Sequence, residues 1–280
     1  MVITDNIGSY CIIDNESKPV DELELLNIDK MVYEVVRVIS GVPLFLEEHF
    51  NRLKRSLDLI GIECFLELKN ITDSIKKLAF VEQTENFNVK IIISVQNSRQ
   101  MLVAYASKFY YPSDEEYASG VFVSLLNIER DNPNVKKLNS NYVAAVAEKM
   151  RETKAFELLL VNSNNQILEG SKSNAFFVQG KKVLTAPGSL VLEGITRNYV
   201  VDVCGRLGIE LVEMPLSVTE LSNIDAVFIT GTSIKVLPVA SIDSHYYGSA
   251  SNALLNSIKS EYDNVIKKYI RENLEVTRNE

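Results

Sequence analysis

The chain has 280 residues, 46% hydrophobic and 24% charged, close to globular averages, so neither a disordered chain nor a membrane class is indicated and two modest domains could each bury a core. With 29 basic against 37 acidic residues the net charge is -8, which repels a phosphate backbone and argues against a nucleic-acid partner. Cys11, Cys64 and Cys204 are odd in number and lack Cys-x-x-Cys spacing, no metal cage is offered, and no leader or membrane-length apolar run occurs, so a cytoplasmic protein is expected.

Met31 to Ile39 is rich in valine and aromatics and reads as a strand, which Gly41-Val42-Pro43 turns toward Leu44-Phe45 as a hairpin. From Glu47 the period changes. Phe50, Leu53, Leu57 and Ile60 recur at helical spacing and Gly61 stands where the helix stops, which places His49 and Arg52 on it. A helix near Ile71 to Phe80 and strands at Val89 to Val95 and Met101 to Ala106 complete an α+β unit. Tyr110 to Glu116 breaks all periodicity around Pro112. The expected division is a smaller N-terminal domain over 1–111, a linker over 112–119 and a larger C-terminal domain over 120–280. That second domain reads as a strand at Gly120 to Leu126, a helix from about Asn139 to Met150 and strands at Phe156 to Val161 and Ala175 to Val178. A helix from Ile195 to Leu207 closed by Gly208, a strand at Ala226 to Thr230 and a helix from about Asn252 follow.

Several segments carry polar chemistry. Asn134 to Asn141 contains Lys136-Lys137, and Leu168 to Asn174 presents Glu169 on a glycine turn. An amine for a Schiff base and an anion for a pyridine nitrogen are what a pyridoxal phosphate site needs, although Glu169-Gly170 taken alone is a hairpin bend. Arg52 offers a planar fork for phosphate; otherwise it is an exposed helix charge. Gly194 directly precedes a helix, whose first N–H groups, at Ile195 and Thr196, attract an anion. Thr230-Gly231-Thr232-Ser233 ends a strand in a hydroxyl-rich turn able to donate to phosphate, although Thr232 could equally serve its own backbone. Tyr33, on an alternating strand, is core on propensity alone. His49 and His245 lack the carboxylate pattern of a metal pair or a catalytic dyad.

Six segments in order, Tyr-Glu-Val-Val-Arg-Val from Tyr33, Glu-Glu-His-Phe-Asn-Arg-Leu from Glu47, Lys-Lys-Leu-Asn from Lys136, Glu-Gly-Ser-Lys-Ser-Asn from Glu169, Gly-Ile-Thr-Arg from Gly194 and Phe-Ile-Thr-Gly-Thr-Ser from Phe228, resemble the class IV aminotransferases. These are the fold-type IV pyridoxal phosphate enzymes, which include branched-chain aminotransferases, D-amino acid aminotransferases and aminodeoxychorismate lyases. The resemblance implies a two-domain α/β (α+β) fold with the site between domains, pyridoxal 5'-phosphate as cofactor, amino acid and 2-oxo acid substrates, and a homodimer. It assigns the Schiff base to the Lys136-Lys137 pair. The Lys-x-Leu-Asn register of the D-amino acid enzymes and lyases selects Lys136 and matches Glu157 without a gap, whereas the branched-chain pattern points to Lys137; Lys136 is the expected residue. By the same carry-over Glu169 meets the pyridine nitrogen, and Arg52, Thr232 and the amides of Ile195 and Thr196 hold the phosphate. Tyr33 and Ser233 face substrate.

The departures bear on substrate. Val95-Gln96 stands where D-amino acid enzymes and lyases carry Arg-Gly, valine occupies position 35 where the lyase pattern has threonine, and Lys172 adds a positive charge near Glu169. The leading expectation is an aminotransferase. The alternatives are a lyase releasing pyruvate and a catalytically silent paralogue that keeps the fold.

Overall fold

The structure, a computed structural model, describes residues 5–25, 30–96, 99–130, 133–136 and 140–277. Its contacts divide the chain into two compact units, one of residues 1–110, 135–138 and 266–280, the other of residues 111–134 and 139–265.

In the first unit, β1 (Asn6–Ile13), β2 (Glu16–Pro19), β3 (Lys30–Ile39) and β4 (Val42–Pro43) precede α1 (Leu46–Leu59) and α2 (Leu68–Val81), and β5 (Phe87–Gln96) and β6 (Arg99–Ser107) follow. The strands form an antiparallel sheet in the order β2-β1-β6-β5-β3-β4. Alternation along a strand sends successive side chains to opposite faces. Val32, Val36 and Val38 of β3, with Ile91 and Ile93 of β5, pack against Leu53 and Leu57 of α1 and Ile71, Ile75 and Leu78 of α2. Each such fully buried aliphatic side chain stabilises the fold by about 1.5–3 kcal/mol. The opposite face carries Cys11, Ile92, Val103 and Tyr105, with Tyr33 against them. Gly61, at φ 73, ends the α1 turn as its position suggests.

The second unit begins where a linker was expected. Residues 114–119 form α3 (Asp114–Ser119), because Ser113 and Glu116 make a reciprocal capping box. There follow β7 (Val121–Asn127), α4 (Ser140–Thr153), β8 (Glu157–Val161), β9 (Gln166–Gly170), β10 (Asn174–Gln179), β11 (Lys182–Thr185), α5 (Ile195–Arg206), β12 (Glu210–Glu213) and β13 (Leu216–Ser217). Next are β14 (Ala226–Gly231), β15 (Lys235–Ile242), β16 (His245–Tyr246) and α6 (Ala253–Thr277). The sheet runs β12-β11-β10-β14-β15-β7-β8-β9-β13, and β9 also meets β10, so the strands from β10 round to β9 form a closed ring. β7 is parallel to β15 and to β8, which needs the long crossover that α4 supplies. Val121 and Val123, Leu159 and Val161, Ala175 and Phe177, Val227 and Ile229, and Leu237 and Val239 take alternate strand positions in one core.

Two short stretches depart from a simple N-terminal and C-terminal division. Val135 packs into the core of the first unit, and Tyr269, late in α6, sets its ring edge-on to Phe45 and donates to Glu47. Among the described residues no helix is long and apolar enough to cross a membrane, and no group of three His, Cys, Asp or Glu could hold a metal. All three cysteines are unpaired. Burial pushes the thiols of Cys11 and Cys204 up to about 11, which makes both poor nucleophiles.

Candidate active site

Strand alternation separates two neighbours in the first unit. Tyr33 turns to one face of the sheet and Glu34 to the other, beneath α1. His49 and Arg52, three residues apart on α1, therefore point at the same carboxylate. Arg52 donates from Nε to Glu34 Oε1 at 2.7 Å and from Nη2 to Oε2 at 2.6 Å, and His49 Nδ1 lies 2.7 Å from Oε2. All three side chains are almost wholly buried. Burial would raise the Glu34 carboxyl, but the charge and hydrogen bonds of Arg52, joined by His49, hold it well below the usual carboxylate range. Burial lowers His49, and the positive charges of Arg52 and Lys136 act in the same direction; the bond to Glu34 opposes them and loses. His49 is thus neutral and donates from Nδ1 to an ionised Glu34. Arg52, which on propensity alone is an exposed helix charge, is a buried one with a bidentate partner.

Lys136 lies beside the outer edge of β3. Tyr33 donates its backbone N–H to the Lys136 carbonyl at 3.2 Å, and the Lys136 N–H reaches Ser56 Oγ of α1 at 3.4 Å. The ammonium stands 5.2 Å from the centroid of the Tyr33 ring. Lys137 lies outside the described residues.

In the second unit Glu169 is the next-to-last residue of β9, 3% exposed, opposite Asn174 of β10. Its Oε2 accepts the Leu192 N–H at 3.1 Å, and Arg130 Nη1 lies 3.4 Å from Oε1. The turn beyond it is gathered under another carboxylate. Buried Glu157 accepts from Ser171 Oγ at 2.5 Å, Ser173 Oγ at 3.1 Å and the N–H groups of Leu158, Ser171 and Lys172 at 2.8, 3.2 and 3.1 Å. Tyr142 of α4 donates to the Ser171 carbonyl at 2.9 Å. Sequence reasoning used Glu157 only to fix a register and passed over Arg130 and Tyr142.

Asn174 continues the chain of contacts to the start of α5. Its Nδ2 donates to the Leu192 carbonyl at 2.9 Å, and its Oδ1 sits where a Cβ on Gly194 would come within 2.2 Å. Gly194 caps α5 without a side-chain bond, so the N-cap residue leaves the first N–H groups of the helix untaken among the described residues. Thr196 is buried there, its hydroxyl 3.4 Å from that of Tyr262 on α6. Asn174 also pairs with Thr230 of β14, whose buried hydroxyl has no hydrogen-bond partner among the described residues, and the turn through Thr232 and buried Ser233 follows. Among the residues expected at the site, the first unit thus brings Tyr33 and Lys136 together and sets Arg52 in the adjoining buried ion cluster. The second brings Glu169, Ile195, Thr196, Thr232 and Ser233 into one strand-end region. An uncapped helix start and an orphaned buried hydroxyl, beside a buried carboxylate, suit a group that is a phosphate at one end and a basic ring nitrogen at the other.

A family profile described as amino-transferase class IV matches residues 31–242. The chain is 29% identical to a D-alanine aminotransferase of Bacillus licheniformis over 250 residues, 82% of this chain and 88% of that one. It is 30% identical to a probable branched-chain-amino-acid aminotransferase of Thermotoga maritima over 221 residues, 77% and 78% of the two chains. The fold is that of the branched-chain amino acid aminotransferase of Thermobaculum terrenum, solved in its PLP-form, at a TM-score of 0.79 and 22% identity over 96% of this chain and 96% of that one. With its two-sheet α/β fold and a match across most of its length, the chain belongs to the class IV aminotransferases, a family of pyridoxal phosphate enzymes.

Proposed function

We propose that the protein binds pyridoxal 5'-phosphate on Lys136 and uses it to move an amino group from an amino acid to a 2-oxo acid. The observation that carries this reading is the seat of Lys136, fixed through its backbone to Tyr33 and Ser56 with its ammonium against the Tyr33 ring. Bound, the cofactor supplies an electron sink for the carbanion left when the α-proton departs. With the cofactor bound, Lys136 Nζ would take that proton and return it. Glu169 faces the pyridine nitrogen as an anion. Arg52, the Thr232 hydroxyl and the N–H groups of Ile195 and Thr196 hold the phosphate, and Tyr33 and Ser233 line the substrate side. A cytoplasmic homodimer completes the proposal, and the three unpaired cysteines suit that compartment.

The relatives are D-alanine and branched-chain aminotransferases, which favours amino transfer over a lyase reaction and defines the donors to try. The test is the visible absorption of protein loaded with pyridoxal phosphate, recorded as D-alanine, L-leucine, L-valine and L-glutamate are added singly. Loss of the long-wavelength band with one donor, and its return with a 2-oxo acid, is the expected result. Borohydride reduction and peptide mapping should then find the cofactor on Lys136. A Lys136→Ala protein that still discharges donors, or a label on Lys137, overturns the assignment.

A further inference from the structure

We propose that Arg130 is a positioning residue for Glu169: it holds the Glu169 carboxylate ionised and aimed, so that the proton shared with the cofactor stays on the pyridine nitrogen. The inference deepens the function proposed above and rests on it.

Arg130 follows β7, and its side chain is 14% exposed. Among the described residues it meets Glu169 and Tyr142 of α4. Nη1 lies 3.4 Å from Glu169 Oε1, and the guanidinium carbon stands 5.5 Å from the centroid of the Tyr142 ring. Tyr142 in turn donates to the Ser171 carbonyl, two residues beyond Glu169. The guanidinium, the ring, the turn and the carboxylate make a closed circuit, and the Leu192 N–H on Oε2 fixes the other side of Glu169. A side chain whose charged end and flat face both have assigned partners is oriented by the fold.

The consequence follows from charge. A single proton lies between Glu169 and the ring nitrogen, and it resides either on a carboxylate oxygen or on the nitrogen. In a buried setting the neutral pair, carboxylic acid and unprotonated ring, competes well because it leaves no charge to desolvate. A guanidinium against Oε1 removes that advantage by stabilising the carboxylate, so the proton goes to the nitrogen and the ring stays an electron sink. Without the cation the proton returns to Glu169.

The experiment is nitrogen-15 NMR of pyridoxal phosphate labelled at the ring nitrogen and bound to four proteins: wild type, Arg130→Lys, Arg130→Gln and Arg130→Met. Lysine keeps the charge, glutamine keeps a donor without charge, and methionine keeps only bulk. The expected result is a protonated-ring signal in wild type and Arg130→Lys, and a shift toward the unprotonated value in Arg130→Gln and Arg130→Met, with slower discharge by the amino donor. A ring signal in folded Arg130→Gln that matches wild type overturns the proposal, as does an Arg130→Lys protein that behaves like Arg130→Gln. Should Arg130→Met not fold, the glutamine variant decides. Wild-type protein that takes up no cofactor overturns the proposed function itself, whereas uptake with an unchanged signal in both neutral variants defeats only the role of Arg130.

Discussion

Glu34 grips Arg52 through both of its oxygens, at 2.7 and 2.6 Å, in a setting where neither side chain has appreciable access to water. Removing one partner of such a pair leaves the other charge buried and uncompensated, which typically costs about 3–5 kcal/mol. Arg52→Ala should therefore lower the unfolding free energy of the cofactor-free protein by roughly that amount. Urea denaturation measures it, and a loss below about 1 kcal/mol would show that water reaches Glu34 after all.

The same cluster sets a direction for pH. His49 binds its proton less readily when folded than when unfolded, so stability falls as pH drops below its unfolded value of about 6.5 and stops falling beneath the lowered folded value. Glu34 is also lowered on folding, so its contribution is complete above about pH 4.3 and is lost as pH falls through the folded value. Both effects destabilise on acidification, in two successive windows. His49→Gln should flatten the upper window and leave the lower one, as read from urea midpoints between pH 7 and pH 3. An unchanged upper window in that variant would assign it to another group.

Apart from the adjacent Leu158 N–H, Glu157 collects its donors from the turn that Glu169 leads into, and these hydroxyl and amide donors are all neutral; the Ser171 N–H also has the Leu158 carbonyl as acceptor. Each buried donor left without an acceptor costs about 1–3 kcal/mol. Glu157→Ala should destabilise the protein by several times that cost and, through the loosened turn, weaken cofactor binding; Ser171→Ala removes one bond and should cost only about 1 kcal/mol. Fluorescence titration of apoprotein with pyridoxal phosphate separates the two effects. Wild-type affinity in folded Glu157→Ala would confine Glu157 to stability.

A Cβ on Gly194 would collide with Asn174 Oδ1, which lies 2.2 Å from its place. Gly194→Ala should push Asn174 off the Leu192 carbonyl and weaken cofactor binding through the displaced start of α5. Combining it with Asn174→Ala relieves the collision. If the double variant recovers no affinity over Gly194→Ala, the collision is not the cause.

Long periodic elements were legible in the sequence. The valines of β3 and the apolar stripe of α1 fall where expected, and Gly61 and Gly208, both at positive φ, end their helices. Polar or short strands were not. β1, Asn-Ile-Gly-Ser-Tyr-Cys-Ile-Ile, lacks alternation, and Pro238 obscured β15, although it stands one residue before the first β7 pairing, Val239 with Val121. α3 was announced by Ser113 and Glu116, the two ends of a capping box, inside a stretch whose acidity reads as linker. The local motifs at the expected site were legible because each is contiguous. Glu34 as the partner of Arg52 could have been foreseen from alternation on β3, whereas Arg130 stands 39 residues from Glu169, and only the fold brings them together.

The ring of strands in the second unit has a seam one residue pair wide, Glu169 opposite Asn174, fastened further by Gly170 N–H to the Ser173 carbonyl. A hoop parts first at its narrowest joint, so the amide hydrogen of Gly170, bonded across that seam to the Ser173 carbonyl, should exchange faster than those of β14 or β15. Whatever docks on Glu169 acts as a buckle there. Ligand occupancy and closure of the hoop then become one equilibrium, and filling the site tightens the strands on every side of it.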